Sequence, residues 1–365
     1  MKIPSREFCD SYISAYEEQT VSNDKIKWDH VNKWVARAGL KTTWKPYGMP
    51  EVLDPFSSQF ADIDPMPKWD IPHKVMISTT ITGAFFSKRS NPNQPITVDE
   101  IRDSAEECIK AGAPNIHIHV RDDGGFNALD PQRFHDVIAP LKAKYPEVMF
   151  DGCLVAVTDE ESAVMESTMK MGLFDALPVN TTAICCGDSM FFKAPHVVIK
   201  KAQLAQDNGC KPIISVYDDG DIDNARRFLV ESKLLKPPYY WLILPALPGC
   251  SPMHNPQQMV DGLMRMVRTI RDIHSDCFIL VCAAGRASTY LATFAMLLGL
   301  HVRVGMEDTL WPYPHRDDII KRNVDSFLQM KQIAQLLGRD LMTPAEYRQA
   351  LGMPAKTVIG AKAHG

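Results

Sequence analysis

From residue 73 onward, short apolar runs alternate with longer segments in which apolar residues recur at helical spacing. The run at 75–82 is rich in β-branched residues, as is typical of a buried strand. A helix start follows at Thr97, because Glu100 three residues later completes a capping box, and Thr158 with Glu161 repeats this signal. The pattern therefore predicts a series of βα units.

Eight such units follow one another along the chain. Strands are predicted over residues 75–82, 115–120, 148–157, 173–179, 212–217, 240–244, 278–282 and 301–304. Helices are predicted over 97–111, after 130, after 158, near 195, and over 223–235, 256–273, 288–298 and 317–337. Eight βα units in series indicate an α/β protein with the (β/α)8 TIM-barrel fold.

Two segments lie outside the predicted barrel domain of residues 73–340. Residues 1–72 contain four of the six tryptophans and several proline-rich stretches without periodicity, so we expect an N-terminal extension that packs as an arm over the barrel or a neighbouring subunit. Residues 341–365 are expected to form a short C-terminal helix and a frayed tail.

Composition excludes several classes of protein. The 365 residues are 45% hydrophobic and 23% charged, and no apolar run approaches the ~18 residues of a membrane helix. A net charge of −4 without a basic stripe makes nucleic acid an unexpected partner. The nine cysteines include no C-x-x-C pair, so we expect free thiols in the reducing cytoplasm, with no membrane association.

The most informative polar residues end the second predicted strand. Side chains alternate along a strand, so His117 and His119 share one face and can reach a single metal ion. On the eighth strand, Arg303 and Glu307 face inward by the same rule. Strands two and eight both neighbour strand one, so Glu307 can complete a two-histidine, one-carboxylate site for zinc, iron or manganese. Alternatively, the histidines are packing residues, and Arg303 and Glu307 form an ion pair in the barrel core.

Several motifs, taken together and in this order, make residues 74–350 resemble the β-keto acid cleavage enzymes. The motifs are Ile81-Thr82-Gly83-Ala84, Gln94-Pro95-Ile96-Thr97, Ala111-Gly112-Ala113, His117-x-His119-x-Arg121-Asp122, Gly285-Arg286 and His301-Val302-Arg303-x-Gly305-x-Glu307-Asp308.

The resemblance implies an enzyme that condenses a β-keto acid with acetyl-CoA and cleaves the product into acetoacetate and a new acyl-CoA. It implies that His117, His119 and Glu307 bind zinc, which acidifies the carbon between the keto and carboxyl groups. Asp308, oriented by Arg303, takes that proton. Family members usually form multimers, so a homo-oligomer, such as a tetramer, is expected.

The residues expected at the substrate differ partly from the family pattern. Members that act in lysine fermentation hold a substrate amine with two glutamates, where this chain has Phe85 and Ser215. An uncharged or apolar acyl group is therefore expected. A Ser/Thr-Thr-Gly-Gly turn that cradles the substrate carboxylate is replaced by residues 153–156, which begin with Cys153.

Thr82, Asn180 and Arg286 complete the expected substrate contacts. Arg286, after strand seven, is expected to meet a CoA phosphate or a carboxylate; the alternatives are a turn role for Asn180 and a surface role for Arg286. Two other functions stay open: a metal-dependent hydrolase on the same barrel, and a metal-containing barrel that binds ligand without turnover.

Overall fold

The computed structural model describes residues 25–40, 58, 60–156, 158–186, 188–247, 251–252 and 254–356. The chain divides into two compact units, Met1–Asp70 and Ile71–Gly365. In the first unit, a helix spans Trp28–Ala38, and the Trp34 indole N–H donates to Nε2 of His30 at 3.0 Å. How the N-terminal extension docks, and the boundaries at residues 72 and 340, stay predictions.

Eight parallel strands of the second unit form a closed barrel, which confirms the (β/α)8 TIM-barrel prediction. Each strand pairs with the one before and after it in sequence, and the eighth pairs with the first. The strands are β1 (Ile77–Thr80), β2 (Asn115–Ile118), β3 (Met149–Gly152), β4 (Ala176–Asn180), β5 (Lys211–Val216), β6 (Tyr239–Ile243), β7 (Cys277–Cys282) and β8 (His301–Gly305).

Each strand is followed by a helix that covers the outside of the barrel. The helices are α1 (Val98–Lys110), α2 (Pro131–Lys144), α3 (Asp159–Lys170), α4 (Pro195–Asp207), α5 (Asp219–Ala225), α6 (Pro256–Ile273), α7 (Ser288–Leu297) and α8 (Asn323–Leu336). Both predicted capping boxes are formed, at Thr97 with Glu100 and at Thr158 with Glu161. None of the described helices combines the length and the apolar character that crossing a membrane requires.

Four predicted strands were too long. The strand predicted over 75–82 spans Ile77–Thr80, and the strand predicted from residue 173 begins at Ala176. The strand predicted over 148–157 ends at Gly152; residues 153–156 are irregular, and Val157 lies outside the described residues. The strand predicted to reach residue 120 leaves the barrel after Ile118. Its continuation, Val120–Arg121, turns into an antiparallel hairpin with Asn127–Ala128, so His119 sits at the exit of the barrel strand.

Two predicted helices also had wrong bounds. Helix α5 begins at Asp219 rather than 223 because the Asp218 side chain caps it by accepting from the N–H of Asp221. A π-helix over Arg226–Val230 follows α5 and ends before the predicted residue 235. The helix predicted from residue 317 begins at Asn323, whose side-chain Oδ1 accepts from the N–H of Met306 at 2.8 Å. The intervening segment is therefore a loop at the carboxyl end of β8.

The amino end of the barrel is closed by the C-terminal helix, Pro344–Ala350. Its Tyr347 hydroxyl donates to the hydroxyl of Tyr240 at 2.6 Å, and its Arg348 bonds to buried Asp175 at 2.9 Å. The opposite end, where the strands finish, carries the polar side chains described next.

Candidate metal and catalytic site

Three buried side chains from two strand ends converge at the carboxyl end of the barrel. Nε2 of His117 lies 3.4 Å from one carboxylate oxygen of Glu307, and Nε2 of His119 lies 3.3 Å from the other. One ligand atom from each residue lies within 4.8 Å of the others. The structure thus brings together all three residues that the sequence predicted as metal ligands.

Each histidine is fixed through its other ring nitrogen. Nδ1 of His117 contacts Asp151, which in turn accepts from the amide of Asn115 at 2.8 Å. Nδ1 of His119 bonds to the amide oxygen of Asn127 at 2.8 Å. Partners of this kind select the tautomer and ring orientation of metal-binding histidines, and here they leave both Nε2 atoms free to bind an ion.

The polar atoms that face one another fit a divalent cation. Nε2 of His117 and one carboxylate oxygen of Glu307 are buried and have no hydrogen-bond partner among the described residues. Buried polar atoms without a partner are rare because their desolvation is costly. Although burial favours the neutral imidazole, the carboxylates of Glu307 and Asp151 raise the pKa of His117 to about 9, which reflects a negative potential at the site.

Two glycines allow the backbone to approach this cluster. Gly83 has φ +62°, and a β-carbon there would overlap the side chain of Glu307. Gly305 has φ +144°, and a β-carbon there would overlap the carbonyl of Thr80 on β1. Both positions therefore require glycine for conformation and for space.

A second carboxylate lies beside the cluster. The Arg303 guanidinium donates to Glu307 at 2.6 Å, and to both oxygens of Asp308, at 2.6 and 3.0 Å. The Thr80 hydroxyl lies 3.1 Å from the second oxygen of Asp308. The Arg303–Glu307 ion pair considered above is thus present, and it coexists with the contacts of Glu307 to both histidines.

The residues expected at the substrate occupy different environments. The Thr82 hydroxyl is buried and donates to Pro95, whereas the Phe85 side chain is 63% exposed. Cys153 follows β3 and contacts His119. The Asn180 amide donates to the Tyr217 hydroxyl at 3.2 Å, and Ser215 is buried on β5.

Arg286 is part of a surface network beyond β7. Its guanidinium stacks 3.9 Å above the ring of Trp311 and donates to Asp317 at 2.5 Å. No contact described here joins it to the histidine cluster, and its role stays a prediction.

Sequence reasoning missed the supporting residues Asp151, Asn127 and Thr80. Asp151 carried a usable signal, since it is the one charged residue in the strand Met149–Gly152. The turn signal Asp123-Gly124-Gly125 could have indicated the hairpin that brings Asn127 to His119. Thr80 carried no signal, because Asp308 becomes its neighbour only through the β8–β1 pairing.

Comparison with known proteins gives one consistent family. The family model described as beta-keto acid cleavage enzyme matches residues 74–353. The 3-keto-5-aminohexanoate cleavage enzyme of Fusobacterium nucleatum is 31% identical over 77% of this chain and 98% of its own length. The 3-oxoadipate:acetyl-CoA acetyltransferase of Cupriavidus necator is 25% identical over 78% and 97%.

Solved structures agree with the fold. The ternary complex of ObcA with C4-CoA adduct and oxalate has a TM-score of 0.63 and 17% identity, and the match covers 72% of this chain and 68% of that chain. Similarity at this level of identity supports the barrel architecture alone.

Proposed function

Since this chain belongs to the family of beta-keto acid cleavage enzymes, we propose that it is a zinc-dependent member that acts on an uncharged or apolar β-keto acid. The proposed reaction condenses the β-keto acid with acetyl-CoA and yields acetoacetate and an acyl-CoA. One observation carries the proposal: the buried cluster of His117, His119 and Glu307 lies beside the Arg303–Asp308 pair. The acetyltransferase relative named above supports acetyl-CoA as the co-substrate.

His117, His119 and Glu307 would hold the zinc ion. Two imidazoles and one carboxylate are the ligand set of many zinc sites that keep a position open for substrate. When bound, the ion would supply Lewis acidity at the keto oxygen. Asp151 and Asn127 would keep the two imidazoles oriented toward it.

Asp308 is the proposed base. Its carboxylate would take a proton from the carbon between the keto and carboxyl groups, while Arg303 and Thr80 hold it in place. The carbanion attacks the acetyl carbonyl and releases the CoA thiolate. The thiolate then attacks the original keto carbon, the carbon–carbon bond breaks to give the acyl-CoA, and Asp308 returns its proton to the acetoacetate carbon.

The loop after β3 is the proposed site of the substrate carboxylate. The N–H groups of Leu154, Val155 and Ala156 donate to no acceptor within the described part of the chain. On the helix side, Lys201 donates to the carbonyl of Leu154 at 2.9 Å, and Lys193 donates to that of Ala156 at 3.1 Å. In a trans peptide, N–H and C=O point in opposite directions, so the N–H of Val155 points away from Lys201. This loop would thus bind an anion with backbone donors in place of hydroxyl side chains, with Cys153 between it and His119.

The acyl group is proposed to lie toward Phe85, with Ser215, Asn180 and Thr82 lining the expected pocket. Neither Phe85 nor Ser215 offers a carboxylate to a substrate amine, and burying an unpaired ammonium is costly. Arg286, half-exposed beside Trp311, is the proposed contact for the phosphates of CoA.

The test is a matched pair of substrates given to protein of known metal content. Purified protein is assayed for bound metal and then for acetoacetate released from acetyl-CoA with 3-ketohexanoate or with 3-keto-5-aminohexanoate. The two acids differ by one amino group, so their ratio of kcat/KM reports the charge preference directly.

The expected result is one zinc per chain and at least tenfold higher kcat/KM for 3-ketohexanoate. A higher kcat/KM for 3-keto-5-aminohexanoate would overturn the assignment of an uncharged or apolar acyl group. Bound zinc without acetoacetate from any β-keto acid would overturn the cleavage assignment and favour a metal-dependent hydrolase or a binding protein.

A further inference from the structure

Arg121 is a buried arginine beside the metal cluster that no step above uses. Arg121 is only 3% exposed, and its side chain forms no ion pair within the described part of the chain. It donates instead to three backbone carbonyls, those of Phe86 at 2.8 Å, Gly125 at 2.9 Å and Thr82 at 3.1 Å. Burying a guanidinium that donates to no carboxylate is costly, and the nearby negative charges of Glu307 and Asp122 offset only part of that cost.

One set of contacts leads to His119. Arg121 lies opposite Asn127 in the hairpin that follows β2, and its bond to the carbonyl of Gly125 fixes the turn of that hairpin. Asn127 in turn accepts from Nδ1 of His119 at 2.8 Å. The position of one metal ligand therefore depends on a hairpin that Arg121 holds together.

The other set leads to Glu307. The carbonyls of Thr82 and Phe86 lie on either side of Gly83 in the loop after β1. Gly83 packs directly against the side chain of Glu307. Gln94 donates to the same Thr82 carbonyl, so this loop is held from two sides above Glu307.

We propose that Arg121 is a positioning residue of the metal site, which sets His119 through the hairpin and Glu307 through the loop. Its planar guanidinium spans the two segments because its N–H groups point in several fixed directions, which a lysine ammonium cannot reproduce. The inference rests on the proposed function only in that the cluster binds a divalent ion.

The chain contains a matched control. Arg339 is also 3% exposed, and it also donates to backbone carbonyls, those of Pro72, Lys74, Met296, Gly299 and Leu300. It lies at the other end of the barrel, near the start of β1 and β8. Replacing either arginine removes the same kind of buried interaction, but only Arg121 is connected to the ligands.

The experiment measures zinc affinity of the metal-free proteins by competition with a chromophoric chelator. Arg121→Lys is compared with Arg339→Lys, because lysine keeps the positive charge that acts on Glu307 but cannot reproduce the guanidinium contacts, and the melting temperature of each is recorded. If Arg121→Lys does not fold, the pair Arg121→Met and Arg339→Met carries the comparison.

We expect roughly 10- to 100-fold weaker zinc binding in the Arg121 variant and unchanged binding in the Arg339 variant, even where both melt earlier. Equal affinities in the two variants would overturn the positioning role. A wild-type protein that binds no divalent ion would contradict both this inference and the zinc-dependent function, whereas normal zinc binding without turnover would leave this inference intact.

Discussion

Gly83 packs so closely on Glu307 that a β-carbon at this position would overlap Cγ of the carboxylate side chain. Its φ of +62° adds a conformation that other residues rarely adopt. We expect Gly83→Ala to displace Glu307 and to weaken zinc binding at least tenfold, measured by chelator competition.

Gly172 provides the control for this substitution. It has a similar φ of +67°, but a β-carbon there would meet nothing within 4 Å. Gly172→Ala should therefore cost only about 1–2 kcal/mol of backbone strain and keep wild-type zinc affinity. Equal loss of affinity in both variants would show that strain alone is responsible.

The two adjacent carboxylates should separate metal binding from turnover. Glu307→Gln is expected to lose zinc and activity together, because an amide is a poor zinc ligand. Asp308→Asn is expected to keep zinc and to lose about 10²- to 10⁴-fold in kcat, because it removes the proposed base. Metal analysis and acetoacetate release on the same samples check both, and an active Asp308→Asn enzyme would refute the assignment.

Thr80 should act on Asp308 through its hydroxyl. Thr80→Val removes the donor to Asp308 with little change of volume, so kcat should fall roughly 10- to 100-fold while KM changes little. Thr80→Ser should restore most of the rate. Thr79→Val is the control, because the buried Thr79 hydroxyl has no partner in the described residues. A comparable loss of kcat in Thr79→Val would mean that turnover is slowed by replacing any buried threonine of β1, and not by the loss of the hydrogen bond to Asp308.

Phe85 should control the charge of the acyl group. Phe85→Glu introduces the carboxylate that the lysine-fermentation members carry, and we expect it to shift the kcat/KM ratio toward 3-keto-5-aminohexanoate. Phe126→Glu, which alters another exposed phenylalanine, in the hairpin after β2, should leave the ratio unchanged. If neither variant changes the ratio, Phe85 does not contact the acyl group.

His301 should make the protein sensitive to acid. Burial, together with the nearby Arg339, lowers its pKa to about 3, and its Nδ1 accepts from the N–H of Met76 at 3.1 Å. The unfolded chain binds this proton near pH 6.5 and the folded chain does not, so the free energy of unfolding falls as pH decreases from 6.5 toward 3. The contribution is about 1.4 kcal/mol per pH unit.

Urea unfolding between pH 4 and 7 measures this slope. His301→Asn keeps an acceptor for Met76 but cannot titrate, so its stability should depend less on pH. His254→Asn, at an exposed histidine, should keep the wild-type slope. Parallel slopes for wild type and His301→Asn would rule out the contribution of His301.

Much of the barrel could be predicted because its signals are local. Apolar runs, capping boxes and proline starts lie within a few residues of each other, and all eight strands were found. Most errors fell at the carboxyl ends of strands, after Gly152 and Ile118, and at the starts of α5 and α8. At these points the chain leaves the barrel to form loops, and a run of apolar residues there no longer indicates a strand or a helix.

By itself, the sequence determined that His117, His119 and Glu307 form one cluster, since alternation along a strand and the order of neighbouring strands suffice to place them. Only the tertiary structure decided what holds them. The register that pairs His117 with Asp151, and Gly305 with Thr80, depends on how parallel strands align when the barrel closes. Residues Asp123-Gly124-Gly125 indicate the hairpin locally, but the point at which the chain leaves the barrel strand, and so the residue that Asn127 meets, depends on the three-dimensional packing.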